Sequence, residues 1–134
     1  MNKFPLKIST PEGVKFDGGA VSLLVKCTEG DVEILAGHTD FVGTLATGRA
    51  RVRSEDGNER YASISGGFIV VKGGEVMLAT DAFEYADEID IERARAAKEN
   101  AERKIRNAAN DVDLGRAEMK LKRALNRIKV YELK

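Results

Sequence analysis

The 134-residue chain has a single cysteine, Cys27, together with two prolines, one histidine and eight aromatic side chains. One thiol cannot form an internal disulfide, so an oxidising compartment is not implied. A lone histidine and a lone cysteine exclude the ordinary zinc constellations, and no metal site is expected. Cys27 lies in a run that reads as strand, with no base nearby in sequence, which favours packing over nucleophilic catalysis. Bases and acids balance at 22 each, so no global field directs the chain to nucleic acid or to bulk membrane. No window approaches the ~18–20 apolar residues of a membrane span, and "MNKFPLKIST" carries no apolar stretch of signal-peptide length. A soluble, cytosolic chain is expected, one that works at a membrane only through partners. The absences extend to catalytic motifs: GxxxxGK[ST], GxGxxG after a strand, GxSxG, CxxC and HExxH are all missing. No catalytic residue is assigned.

What is present falls into two halves. The length suits one ordinary domain, or a compact domain with an appendage. Residues 1–84 hold nine Lys/Arg against twelve Asp/Glu, whereas residues 85–134 hold thirteen against ten. A basic tail on an acidic body points to a tail that meets anionic surface. From Lys3 to about Ala79 the pattern is strand-like: "FPLKI", "AVSLLVKC", "VEIL", "RARVR", "YASISG", "FIVV" and "VMLA" are short runs rich in β-branched residues. Turn signals separate them at "PEG", "DGG", "EGD", "EDGN" and "KGG", and the pairs Gly18–Gly19, Gly66–Gly67 and Gly73–Gly74 are read as turn or bulge glycines with positive φ. Such spacing predicts an antiparallel sandwich or barrel rather than βαβ units, with hairpins at "EDGN" and "KGG".

Beyond Asp81 the character switches. From Asp90 onward there is no proline and one glycine, Gly115, and Ala, Glu, Lys and Arg dominate. The periodicity predicts one helix over Ile91–Ala108 with Asp90 as N-cap, and a second over Leu114–Val130 with Asp113 as N-cap. A short polar turn between them makes an antiparallel αα-hairpin. The first helix offers mostly alanine along its apolar stripe (Ile91, Ala94, Ala97, Ala101, Ile105, Ala108), and the second offers Leu114, Ala117, Leu121, Ala124, Leu125 and Ile128. Alanine permits close helix approach but buries little area, so at ~25 cal/mol per Å² the hairpin is expected to be weakly held and mobile.

The candidate binding residues lie in this half. Arg116, Lys120, Arg123 and Arg127 fall at i, i+4, i+7 and i+11, one face of the second helix. This face reads either as a solvated stripe or as a partner for anions, since bases outnumber acids seven to four from Asp111 onward. Arg93 sits in the first turn after Asp90, where free N–H groups favour anions. Arg95, close behind, has no evident partner and is read as solvated. If the hairpin closes antiparallel, Arg123 and Arg127 approach Asp90 and Arg93, and three arginines around a helix N-terminus suit phosphate oxygens. Asp90 or Glu84 could accept from a base's exocyclic amine or a ribose hydroxyl. His38, in "EILAGHTDF", reads either as a turn residue satisfied locally or as a contact residue. Nucleic-acid binding has little support, because basic residues are not interleaved with aromatics.

The segments "STPEGVKFDGGAVSLLV", "EGDVEILAGHTDFVGTLATG", "ASISGGFIVVKGGEVMLATDAFE", "IDIERARAAKENAERKI" and "AEMKLKRALNRIKV", in this order and spacing, resemble the epsilon subunit of bacterial F-type ATP synthase over essentially the whole chain. The resemblance implies an all-β sandwich of about ten strands over residues 1–84, gripping the gamma subunit and the c-subunit ring, and a mobile C-terminal hairpin over residues 85–134. It implies a non-catalytic rotor subunit, peripheral on the cytoplasmic face of the bacterial plasma membrane, in a complex that couples proton flow to ATP synthesis. The extended hairpin would reach the beta and alpha subunits and block ATP hydrolysis. The folded hairpin would bind ATP as a regulatory ligand, with or without Mg²⁺, through an (I/L)DxxRA motif that Ile89-Asp90-Ile91-Glu92-Arg93-Ala94 matches. The resemblance places the remaining site residues at Glu84, Arg123 and Arg127, beside Asp90, Arg93 and Ala94. It departs at Asn100, where the better binders carry arginine, and at Ala36, where proline often precedes Gly-His and makes the loop more rigid. His38 is implied to face the c-ring. The alternative from another class is a free-standing nucleotide-sensing module.

Overall fold

A computed structural model describes residues 2–134. Among these residues nine strands come first: β1 (Phe4–Thr10), β2 (Gly13–Cys27), β3 (Gly30–Ile34), β4 (Phe41–Thr44), β5 (Gly48–Ser54), β6 (Glu59–Ser65), β7 (Phe68–Lys72), β8 (Glu75–Ala79) and β9 (Ala82–Tyr85). They pair in the order β4-β7-β8-β1-β2-β5-β6-β9, with β3 also on β2. Among the described residues only the β1–β8 pair is parallel. Alternation puts Phe4, Leu6 and Ile8 of β1 inside, where they join Leu23, Ile34, Ile64, Ile69 and Leu78 in one core shared by all the paired strands. Cys27 belongs to this core. Burial raises its thiol pKa and the charges of Asp31 and Glu29 push the same way, which keeps it protonated and inert.

Among the described residues the sandwich has nine strands, against the about ten expected, because β2 does the work of two. Its first half pairs with β1 and its second half with β3 and β5, across a register shift between Ala20 and Ser22. The "DGG" segment therefore lies within a strand: Gly18 and Gly19 pair with Leu6 and Pro5, and neither has positive φ. Gly66 and Gly67 do turn with positive φ, and a Cβ on Gly67 would stand 2.0 Å from the Ala79 carbonyl oxygen. The hairpins at "EDGN" and "KGG" form as β5–β6 and β7–β8.

A single 3₁₀ turn, Ala86–Glu88, leads into α1 (Ile91–Arg106) and α2 (Asp111–Tyr131). Asp90 caps α1, its carboxylate accepting the Arg93 amide at 3.1 Å. The second helix begins three residues earlier than the sequence suggests. Asn110 rather than Asp113 is its cap, accepting from the Asp113 amide at 2.9 Å, and Asp111 and Asp113 thereby fall in the first turn, where the helix dipole favours acids.

The seam between the helices is made of alanine. Ala94, Ala101, Ala117 and Ala124 are all buried, while Leu125 is partly exposed and Leu114 and Leu121 are half-buried. The hairpin is seated on the sandwich by a small second core of Ala86, Ile89, Ala94 and Val130 against Tyr61, Ile128 and Tyr131. Polar contacts complete the docking. The Asn126 amide donates to the Gly48 carbonyl at 2.9 Å and to Ser63 Oγ at 2.8 Å, and Arg60 lies over the Tyr85 ring while pairing with Asp87.

Two substitutions test this account. Ala101→Leu should overpack the seam and lower the stability of the helices by ~1–3 kcal/mol, read from chemical unfolding at the helical circular-dichroism band. An unchanged midpoint would contradict the tight seam. Asn126→Ala removes the amide that satisfies Gly48 and Ser63, and should cost ~1–3 kcal/mol of docking. Limited proteolysis in the 107–110 link should then accelerate severalfold, and an unchanged rate would contradict the role given to Asn126.

Candidate functional site

Glu84 stands in the middle of β9, paired to β6 opposite Ser63. Tyr85 and Phe83 point inward, so alternation turns Glu84 outward, beneath the hairpin. Arg127 comes down from the last third of α2 and grips it: Nε donates to Oε1 at 2.8 Å and Nη2 to Oε2 at 3.4 Å. Both side chains are partly buried, at 24% exposure for Arg127 and 33% for Glu84. At that exposure the fork contributes on the order of 1 kcal/mol, and its main effect is to fix the direction of both groups.

Above this pair a groove of about 720 Å³ opens between the sandwich and the hairpin. Glu84, Arg93, Asn100, Arg123 and Arg127 all line it, with Ser63 on its floor. Four of the six residues singled out in sequence are thus brought together from β9, α1 and α2, over a sequence separation of more than forty residues. The antiparallel closure of the hairpin is what achieves this, since it lays the end of α2 beside the start of α1.

The other two residues are placed differently. The Asp90 carboxylate is engaged with the α1 backbone and does not line the groove. Ala94 is sealed in the small core beneath the helices, where any larger side chain would separate them. Arg95 is not merely solvated: it pairs with Glu92 at 3.0 Å, one turn away on the exposed face. Among the described residues the ion pairs leave Arg93 and Arg123 without a carboxylate partner. Two unpaired guanidinium groups facing a groove are donors in wait of anions.

His38 lies apart, in the connection between β3 and β4. Its Nδ1–H donates to the Thr39 carbonyl at 2.7 Å, and the ring meets Phe41 edge-on at 6.1 Å. Among the described residues no group of three or more His, Cys, Asp or Glu side chains could hold a metal ion. Sequence reading did not find Ser63 and Asn126. Alternation in "YASIS" places Ser63 outward, but nothing local tells which outward residue the hairpin will cover.

The fold and both halves of the chain have relatives. Residues 3–86 match the family described as ATP synthase, delta/epsilon chain, beta-sandwich domain, and residues 87–132 match its long alpha-helix domain. ATP synthase epsilon chains of Staphylococcus aureus, from strains JH9 and N315 among others, are 40% identical over 135 residues, covering all of both chains. A chain in the cryo-EM structure of the Euglena gracilis mitochondrial ATP synthase OSCP/F1/c-ring assembly superposes with a TM-score of 0.83 at 25% identity, over 98% of this chain and 82% of that one. A chain of the Tetrahymena thermophila mitochondrial ATP synthase central stalk and c-ring shares the fold, with a TM-score of 0.59 at 15% identity over 98% and 96%. With the sandwich and helical domains matched in order and relatives aligned end to end, this chain belongs to the ATP synthase delta/epsilon family.

Proposed function

We propose that the chain is a non-catalytic central-stalk subunit of a bacterial F-type ATP synthase, and that its hairpin restrains ATP hydrolysis and binds ATP when folded. In this reading the sandwich grips the gamma subunit and the c-ring, and the subunit turns with the rotor as proton flow drives ATP synthesis. The outward face of β4, β7 and β8 supports a docking role: Val42, Phe68 and Met77 are exposed there at 72%, 47% and 41%, and contiguous exposed apolar side chains mark interaction surfaces. His38, next to β4, is the proposed c-ring contact. The protein would be peripheral on the cytoplasmic face of the plasma membrane, held there by the complex. Among the described residues no helix is long and apolar enough to cross a membrane, which leaves strands unaddressed.

The observation that carries the regulatory reading is the meeting of Glu84 with Arg93, Arg123 and Arg127 in one groove. Its volume suits a small-molecule ligand. The arginines offer forked donors to phosphate oxygens, and Glu84 can accept from a ribose hydroxyl or an exocyclic amine. Asp90 and Ala94 act beneath the ligand, by capping α1 and by letting the helices close. ATP bound across β9, α1 and α2 favours the closed hairpin by its differential affinity for that state. Released and extended, the same basic stripe would meet acidic surface on the beta and alpha subunits.

Removing residues 85–134 should raise ATP hydrolysis by the assembled complex and leave its assembly intact, whereas unchanged hydrolysis would refute the inhibitory role. Calorimetric titration of the isolated chain should show ATP binding that Arg93→Ala and Arg127→Ala each weaken by about tenfold or more. Equal heats in all three proteins would place the site elsewhere. Recovery of the native protein free of gamma and c-subunits would instead favour a free-standing nucleotide sensor.

A further inference from the structure

The groove does not end at Arg93 and Arg123. It runs on between the helices into a second recess of about 440 Å³, and Asn100 and Lys120 line both. On α1, Arg93, Ala97, Asn100 and Lys104 follow one another at helical spacing along this channel, so that Asn100 lies ~10 Å and Lys104 ~16 Å beyond Arg93. On α2, Arg127, Arg123, Lys120 and Arg116 run the opposite way. Lys104 and Lys120 are thereby brought together across the seam. Their contact is unfavourable in itself: Lys104 holds the Lys120 pKa below the usual lysine value, and Arg123 and Arg116 act in the same direction.

Both side chains are exposed, so solvent screens this repulsion. Among the described residues no ion pair offsets it, and none includes Lys104, Lys120, Arg116 or Arg123. Asp113 is the one acid lining the recess, and the neighbouring Arg103 is turned to Asn100 Oδ1 at 3.0 Å. The acids of the main groove, Glu12, Asp81, Glu84 and Glu88, stand at the sandwich end instead. The channel is therefore polarised: its carboxylates gather at the sandwich, beside Lys15 and Arg127, whereas the seam carries Arg123, Lys120, Lys104 and Arg116 with Asp113 as the acid of the recess. A ligand lying in it would set its hydroxyl- and amine-bearing part on the sandwich and its anionic part between the helices.

We propose that Lys104 and Lys120 form the subsite for the terminal phosphate of a nucleoside triphosphate lying along the groove, and make it prefer triphosphate to diphosphate. This rests on the nucleotide reading above for its ligand. Asn100 brings no charge to this stretch, and the two lysines supply it. A compact ammonium binds phosphate as a point charge, and an anion between two ammonium groups converts their repulsion into two attractions. The lysines come from different helices, so the subsite exists only while the hairpin is closed, and the last phosphate is the part of the ligand that reports closure.

The test is calorimetric titration of the full chain with ATP, ADP and inorganic tripolyphosphate, with circular dichroism to verify that each variant keeps its helices. Lys104→Gln and Lys120→Gln should each weaken ATP by about tenfold and ADP by less than about twofold, so that the ATP-to-ADP preference falls. Lys122→Gln, on another face of α2, should leave both unchanged. Asn100→Arg in the Lys120→Gln background should restore the preference. A preference unaltered in the Lys104→Gln/Lys120→Gln double variant would overturn the proposal. If the native chain gives no heat with ATP, the nucleotide reading itself falls, and tripolyphosphate decides the subsite: heat lost in the double variant supports it, and no heat, or heat retained, overturns it.

Discussion

The four buried alanines between α1 and α2 are the constraint on which the C-terminal half depends. Small side chains let the two helices approach closely, and that closeness brings the cations of both helices to the rim of one channel. The same choice limits the apolar contribution of the seam, because alanine removes little area from water. The sandwich stands in contrast. Its core, mostly Leu, Ile and Val side chains with Phe4, Phe83 and Tyr85, runs through the paired strands and includes no residue of the helices. In the proposed reading one chain joins a strongly packed body to a marginal appendage.

The docking of that appendage is correspondingly specific rather than strong. A small apolar cluster around Ile89 and Val130 seats it, and Asn126 and the Glu84–Arg127 fork fix its orientation. Hydrogen bonds and partly exposed ion pairs contribute little net free energy but have strict geometry. In the proposed reading a hairpin held in this way has one well-defined closed position and a modest cost of leaving it. That is the physical requirement for a two-state element that a ligand can bias, and in the proposed reading the groove it closes is where the ligand acts.

Much of the fold was legible because the strands announce themselves. Seven β-branched runs separated by glycine turns correspond to seven of the nine strands. The two that were missed, β4 "FVGT" and β9 "AFEY", have four residues each and owe their form to pairing with β7 and β6 rather than to local pattern. Gly18 and Gly19 misled in the other direction, since glycine within a bent strand looks like a turn until its partner strand is known. At the start of α2 two caps competed within four residues, and Asn110 won by leaving both aspartates in the first turn. Of the groove, sequence pattern suggested Arg93, Arg123 and Arg127 through helical spacing and antiparallel closure. Asn126 and Ser63 were invisible, because their roles arise from contact across more than sixty residues.

The central claim is that closure of the hairpin is a marginal equilibrium, independent of the sandwich and biased by a ligand in the groove. Amide hydrogen exchange on the isolated chain, with and without ATP, addresses it most directly. The account predicts that α1 and α2 exchange through openings far easier than those of the β core, and that ATP slows the helices while leaving the strands unchanged. Helices protected as strongly as the core, with exchange that ATP does not alter, would contradict it.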